Sequence, residues 1–174
     1  MTRIYAEVIG DPIVQSKSPA IHNYWLGKLG LDADYRAAHV TADGLAEYLA
    51  ARREDRAWRG CNVTMPHKQA VIPLLDRLEI GAEMVGAVNT ITRRERSGEV
   101  RLIGTNTDMA GFLEPLQEML ATPHYFRMAR VLGTGGAARA IVAALAEQGV
   151  VVVLAGRDPA KAQAILDEID PEGE

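Results

Sequence analysis

Thr64 and Lys68 offer a hydroxyl and an amine four residues apart in the stretch Cys61-Asn62-Val63-Thr64-Met65-Pro66-His67-Lys68. Trp58 to Val63 reads as a short strand, and Pro66 suits the first turn of a helix, so both residues fall where strand gives way to helix. The free N–H groups and positive dipole end expected there suit a polar ligand. One turn into that helix, the Lys68 ammonium would lose its proton more readily, which acid/base work requires. Taken singly, a lysine in such a place is more often a solvated surface residue.

The elements that must position this chemistry follow from periodicity and punctuation. Ile4 to Ile9 reads as a first strand, ended by Gly10-Asp11-Pro12. A loop from Val14 to Ser18 leads into a helix with Ser18 as N-cap, Pro19 at its first position, and Ile21, Trp25 and Leu29 along an apolar face. Ser16 and Ser18 lie two residues apart, so in an extended loop both hydroxyls point the same way; capping alone also accounts for Ser18. Tyr35 to Val40 is a second strand, and Leu45, Tyr48 and Leu49 recur at helical spacing. After Trp58 to Val63, helical segments are expected from Pro66 to Leu78 and from Glu79 to Val85. Ala87 to Thr92 and Val100 to Gly104 pair as strands around a solvated link, Arg93 to Glu99, and a helix begins near Asp108 with Pro115 as a kink. This alternation describes a layered α/β domain. Thr64, Asn89 and Asp108 fall at strand ends or helix starts, where ligands of open α/β sheets bind. With Ser16 and Ser18 they supply donors and acceptors for a small polar ligand, although Asn89 alone reads as a turn residue and Asp108 alone as a helix cap.

A connecting stretch, Ala121 to Met128 with Thr122-Pro123-His124, precedes the brief strand Arg130-Val131-Leu132. Gly133-Thr134-Gly135-Gly136-Ala137 then opens a helix carrying Ala138, Ile141, Val142 and Leu145. Such a turn lets backbone N–H groups approach a pyrophosphate at a helix N-terminus; glycine turns also serve as plain connections. The apolar run Val150 to Ala155 suits a parallel strand covered on both faces. Gly156-Arg157-Asp158 follows, where a dinucleotide fold reads the adenosine ribose. Arg157 and Lys161 bring two cations within reach of one phosphate, which favours NADP. Asp158, the cap of the last helix, leaves NAD open, and a solvated helix start also accounts for both cations.

Five blocks recur in one order: Gly10-Asp11-Pro12-Ile13-Val14-Gln15-Ser16-Lys17-Ser18-Pro19, then Asn62-Val63-Thr64-x-Pro66-x-Lys68, Ala87-Val88-Asn89-Thr90, Asn106-Thr107-Asp108 and Gly133-Thr134-Gly135-Gly136-Ala137. In this the chain resembles the shikimate dehydrogenase family, from residue 10 to residue 161. The resemblance implies an N-terminal three-layer α/β substrate domain followed by a Rossmann-like NAD(P)-binding domain. Residues 1–107 would form the first, 108–128 a connecting helix and linker, and 129–174 the start of the second, incomplete because only the opening of one βαβαβ half is present. It implies reversible NADPH-dependent reduction of 3-dehydroshikimate to shikimate, in aromatic amino-acid biosynthesis, with Lys68 and Asp108 as a proton-transfer pair. Ser16, Ser18, Thr64, Asn89 and Asp108 would hold the acid, and Gly133, Thr134, Gly135, Gly136, Ala137, Arg157 and Lys161 the cofactor. Met109 stands where the family often has glycine, and Gly156 and Asp158 where it often has asparagine and threonine. A quinate/shikimate dehydrogenase using NAD is the neighbouring reading. A non-catalytic module that binds shikimate-like acids is the alternative from another class.

Composition narrows the field further. Apolar residues at 48% and charged residues at 24% suit a globular protein, and a formal charge of −4 without a basic stripe argues against nucleic-acid binding. The single cysteine, Cys61, excludes an intrachain disulfide and a thiolate metal cluster, and the four histidines are not spaced as metal ligands. The N-terminus lacks a signal-peptide pattern and no apolar run reaches membrane-span length. The expectation is a cytoplasmic monomer or homodimer with a small-molecule partner.

Overall fold

The computed structural model describes residues 3–121 and 128–171. In chain order the first elements are β1 (Ile4–Gly10), α1 (Ser18–Lys28), β2 (Ala33–His39), α2 (Leu45–Glu54), β3 (Trp58–Val63), β4 (Arg77–Leu78), α3 (Ile80–Val85), β5 (Thr90–Arg96) and β6 (Glu99–Thr105). Then follow α4 (Asp108–Leu113), α5 (Gln117–Ala121), β7 (Met128–Leu132), α6 (Gly136–Glu147), β8 (Val151–Ala155) and α7 (Pro159–Ile169). The chain divides into two compact units, Met1–Glu79 with Val88–Thr105, and Ile80–Ala87 with Asn106–Glu174. Among the described residues no helix is long and apolar enough to cross a membrane.

The first unit is built on a sheet ordered β2-β1-β3-β5-β6-β4. β1 runs parallel to both β2 and β3, whereas β5 is antiparallel to β3 and to β6. The parallel pairs require crossovers, which α1 and α2 supply. Trp58, Ile9, Ile91 and Leu102 are the large side chains sealed in its core. α2 buries Leu45 and Leu49 and sends Tyr48 and Arg52 to Glu7 of β1, whose carboxylate is only 3% exposed. Tyr48 donates to Glu7 Oε2 at 2.6 Å and Arg52 Nε at 2.7 Å. A buried carboxylate needs such partners, because desolvation otherwise costs more than folding can spare.

Several sequence expectations change in this unit. No helix starts at Pro66: residues 65–71 form turns, followed by a 3-10 turn at Ile72–Leu74, and the Met65-Pro66 bond is cis. Carbonyls that a helix would use internally are taken by other strands and loops. Met65 O accepts the Asp11 N–H at 3.1 Å and Lys68 O accepts the Val88 N–H at 2.7 Å. Pro73 has no N–H to return to Gln69. The dipole effect expected on Lys68 therefore has no helix to arise from. Ser18 is the first helical residue and not the cap; Lys17 holds the cap position, and the Ser18 N–H donates to Ser16 Oγ at 3.3 Å. The apolar face of that helix, Ile21, Trp25 and Leu29, lies open to solvent. Most of the expected link Arg93–Glu99 is strand, and the hairpin turns on Ser97 and Gly98 alone, both with positive φ, as a two-residue turn matching the strand twist requires.

In the second unit β7 and β8 pair in parallel around α6, one βαβ crossover. Val131, Val142, Leu145, Val152, Leu154 and Ile165 form its main core. A smaller cluster packs Val85 and Ala87 against Ala140 and Ala143 of α6, with Met109 beside it. Arg139, 3% exposed, donates through Nε to the Val85 carbonyl at 2.6 Å and pairs with Glu168 of α7, so one buried cation ties three helices. Asp158 caps α7 as expected, accepting the Lys161 N–H at 3.1 Å. The connecting stretch Thr122-Pro123-His124 lies outside the described residues.

Two features of β3 have measurable consequences. Gly60 has φ +148°, and a Cβ there would press into the Ile91 carbonyl of β5. Gly60→Ala is expected to cost about 3 kcal/mol or more from strain and overpacking. A lowered urea midpoint with unchanged slope would register it, whereas a loss below about 0.5 kcal/mol would mean that the strands tolerate a side chain there. Cys61, fully enclosed beside Glu7, has its thiol pushed far above the ordinary range, first by burial and then by that carboxylate. In the folded chain at pH 8 it should resist Ellman's reagent and react only once urea unfolds the protein; prompt labelling of the folded chain would contradict the enclosure.

Candidate functional site

The parallel pairing of β1 and β3 sets their C-terminal ends side by side, with Ile9 opposite Val63. The loop carrying Ser16 and Ser18 leaves the first, and the loop carrying Thr64 and Lys68 leaves the second. The Thr64 N–H donates to Ile9 O at 3.0 Å, and the two loops are joined again by the bond from Asp11 to Met65. Gly10 allows that approach: a Cβ there would lie 2.6 Å from Thr64 Cγ2. Antiparallel β5 starts at the same edge, since Asn62 pairs with Thr90, so Asn89 arrives beside Val63, whose N–H donates to Asn89 O at 2.7 Å. The sheet thus gathers Thr64, Lys68 and Asn89 at one edge, with the serine loop next to them. Ser16, Ser18, Thr64 and Lys68 are half-buried, and Asn89 is 9% exposed.

Lys68 is held by its backbone and by its neighbour. Its carbonyl is bonded to Val88, and His67, completely buried, directs Nε2 to the Val40 carbonyl at 2.6 Å. His67 therefore donates from Nε2, and Nδ1 has no partner among the described residues. The histidine is an anchor that ties the loop to the end of β2.

The sequence reading assigned no role to Tyr35, Asn62 or Thr90. Tyr35 Oη donates to Asn62 Oδ1 at 2.6 Å, Asn62 Nδ2 to Thr90 Oγ1 at 3.0 Å, and Thr90 Oγ1 to Asn89 Oδ1 at 2.9 Å. The His22 ring stacks on Tyr35 at 4.0 Å, and its Nδ1 lies 2.9 Å from Ser18 O. A polar asparagine in the central strand was the available signal, because a half-buried amide has to find partners.

Asp108 is the first residue of α4 in the second unit. Its N–H donates to Asn106 Oδ1 at 2.9 Å, and Asn106 Nδ2 donates to the Ala87 carbonyl at 2.8 Å, so Asn106 supports the turn that presents the aspartate. Met109 packs inward against the Val85 and Ala87 cluster.

The glycine turn joins β7 to α6 within the same unit. Gly133 has φ +117°, which an L side chain rarely adopts, and its N–H donates to Ala155 O at 2.7 Å. Gly135 holds the helix cap position without a side-chain cap, so the first N–H groups of α6 are not consumed by one. A Cβ at Gly133 or Gly135 would meet nothing within 4 Å; packing within the chain does not demand the missing side chains, and the open space suits close approach of a ligand to the backbone. A Cβ on Gly156 would lie 2.7 Å from Thr134 Cγ2, which brings the end of β8 against the turn. Arg157 and Lys161 follow, both exposed; Ala137, in the first turn of α6, is exposed too.

Residues 8–91 match the family described as shikimate dehydrogenase substrate binding domain. A shikimate dehydrogenase (NADP(+)) from Sphingopyxis alaskensis is 53% identical over 163 residues, covering 93% of this chain and 57% of that protein. The crystal structure of shikimate 5-dehydrogenase from Thermus thermophilus in complex with NADP(H) and shikimate superposes with TM-score 0.81 at 39% identity, over 95% of this chain and 60% of that one. The ligand-free 5-ketofructose reductase of a Gluconobacter strain gives TM-score 0.79 at 35% identity, over 100% of this chain and 61% of that one. The chain thus spans somewhat less than two thirds of the length of these relatives, at 57% to 61%. Residues 8–91 therefore carry the likeness to a shikimate dehydrogenase substrate binding domain.

Proposed function

We propose that the two units serve the reversible, NADPH-dependent reduction of 3-dehydroshikimate to shikimate. The observation that carries this reading is the gathering of Thr64, Lys68 and Asn89 at one sheet edge by backbone bonds to Ile9, Val88 and Val63, with the Ser16 and Ser18 loop beside them. In this reading residues 1–107 handle the acid, 108–128 connect, and 129–174 open the nucleotide domain. Ser16, Ser18, Thr64 and Asn89 hold the hydroxyl and carboxylate oxygens of the substrate. Lys68 in its neutral form accepts the proton of the reacting hydroxyl, and returns it when the ketone is reduced. Asp108 orients that hydroxyl. Gly133, Thr134, Gly135, Gly136 and Ala137 cradle a pyrophosphate on the N–H groups opening α6, while Arg157 and Lys161 hold the 2′-phosphate. NADP when bound supplies the site that exchanges hydride with the substrate carbon. A cytoplasmic monomer or homodimer goes with this reading.

One other reading has an observation behind it: the likeness to a 5-ketofructose reductase supports a different polyhydroxylated ketone as substrate.

Lys68→Ala should lower turnover of shikimate with NADP roughly 10²–10⁴-fold, the range for loss of a general base, while leaving the dissociation constant for shikimate within a few-fold. Turnover unchanged by the substitution would remove Lys68 from the chemistry, and a wild-type chain that binds shikimate without turnover would leave the binding reading. Arg157→Ala should raise KM for NADP about tenfold and leave KM for NAD where it was, as expected for loss of a charge-assisted phosphate contact. Equal effects on both cofactors would take Arg157 away from the phosphate.

A further inference from the structure

Arg139 lies on α6 next to Ala140 and Ala143, which pack on Val85 and Ala87, and a buried cation in such apolar company is costly unless its donors are matched. Its own N–H donates to Gly135 O at 3.1 Å and so closes the first helical turn after the glycine cap. Its guanidinium is held by two acceptors: Nε donates to Val85 O at 2.6 Å, and Nη2 pairs with Glu168 of α7. Val85 is the last residue of α3, so its carbonyl has no partner within that helix and needs one from outside. Gly86 follows with φ +61°, and a Cβ there would run into Arg139 Nη2. A left-handed glycine is thus what lets the guanidinium lie against this backbone.

The next two residues carry the backbone bonds on which the proposed chemistry depends. Ala87 O accepts from Asn106 Nδ2 at 2.8 Å, and Asn106 Oδ1 accepts the Asp108 N–H at 2.9 Å. The Val88 N–H donates to Lys68 O at 2.7 Å. Val85, Ala87 and Val88 are all fully buried, so water is not at hand to replace a lost partner. The run Val85–Val88 therefore braces the aspartate turn, ends on the lysine loop, and is pinned at its start by a side chain from the first turn of α6.

We infer that Arg139 is a positioning residue for the proposed reaction: by gripping the Val85 carbonyl across Gly86 it fixes the backbone that sets Lys68 and Asp108. It acts through Val88 and Asn106 and has no contact of its own with the substrate. The inference deepens the proposed function and rests on the roles proposed there for Lys68 and Asp108.

The test compares two substitutions in the whole chain. Arg139→Met keeps much of the length and removes every donor, whereas Glu168→Gln removes the charge of the pair and leaves the Val85 bond. In amide hydrogen exchange of the ligand-free protein, the Val88 N–H should exchange about tenfold faster in Arg139→Met, as expected for a bond whose frame is loosened, while Val8 and Ile9 of β1 keep their wild-type rates. In Glu168→Gln, Val88 should stay within about twofold of wild type. A role confined to packing the second unit would leave Val88 unmoved in both variants. With shikimate and NADP, Arg139→Met should lower kcat about tenfold and leave KM for shikimate within about twofold, the pattern of a displaced reacting group. Val88 exchange that is unchanged in Arg139→Met, or that rises only together with Val8 and Ile9, overturns the coupling, and faster Val88 exchange with unchanged kcat overturns its part in positioning. Should Arg139→Met not fold, Arg139→Lys, which gives up the two-armed fork, is judged by the same amides. If the wild-type chain does not turn shikimate over, the proposed function fails, and the exchange of Val88 still decides the coupling.

Discussion

β3 is hydrogen-bonded along both edges, parallel to β1 and antiparallel to β5, and the candidate substrate residues of the first unit depend on those two pairings. The parallel edge sets the ends of β1 and β3 level, from which the serine and lysine loops leave. The antiparallel edge starts β5 at the same level and so delivers Asn89. Gly60 is the local requirement for the second pairing, because its backbone lies where no side chain fits against Ile91. Ligands of open α/β sheets collect at the carboxyl ends of parallel strands; here an antiparallel strand contributes its beginning to that same edge, which is equivalent in space.

Alternation along β3 divides the labour between its faces. Cys61 pairs in register with Glu7 of β1, whose carboxylate is met by Tyr48 and Arg52 from α2. Asn62, the next residue, points to the other face and is met by Tyr35 and Thr90. One side of the sheet therefore holds a buried ion pair that fastens a helix, and the other holds a chain of neutral hydrogen bonds. The separation has a physical advantage. Neutral groups can be buried with few partners, whereas the charge of Glu7 needs the full set that α2 provides.

Most strands were legible because their signals are local: apolar runs bounded by glycine, proline and aspartate. The glycine turn before α6 and the Asp158 cap of α7 were legible for the same reason. The helix expected from Pro66 was not, because its absence is decided by partners far away in sequence. Asp11 and Val88 claim the carbonyls of Met65 and Lys68, and no window around Pro66 contains that information. The same limit hid the hydrogen bonds of Asn62, since Tyr35, Asn62 and Thr90 are separated by 27 and 28 residues along the chain. Helical spacing of Ile21, Trp25 and Leu29 correctly indicated a helix, and their exposure shows that periodicity reports which residues share a face and not what lies opposite.

α3 lies in the chain between two strands of the first unit, yet its Val85 and the following Ala87 pack on α6, and Arg139 grips the Val85 carbonyl. The backbone therefore passes from one unit to the other three times, and no single cut separates them. A fragment ending near Thr105 would carry α3 away from α6, baring Val85 and Ala87 and taking from Arg139 of the remaining part its acceptor. A fragment beginning there would lose the same contacts from the other side. Anyone dividing this protein for expression would do better to graft than to truncate: the second unit needs Ile80–Ala87 restored as a covalent extension, and the first needs the gap between Glu79 and Val88 closed by a short designed turn.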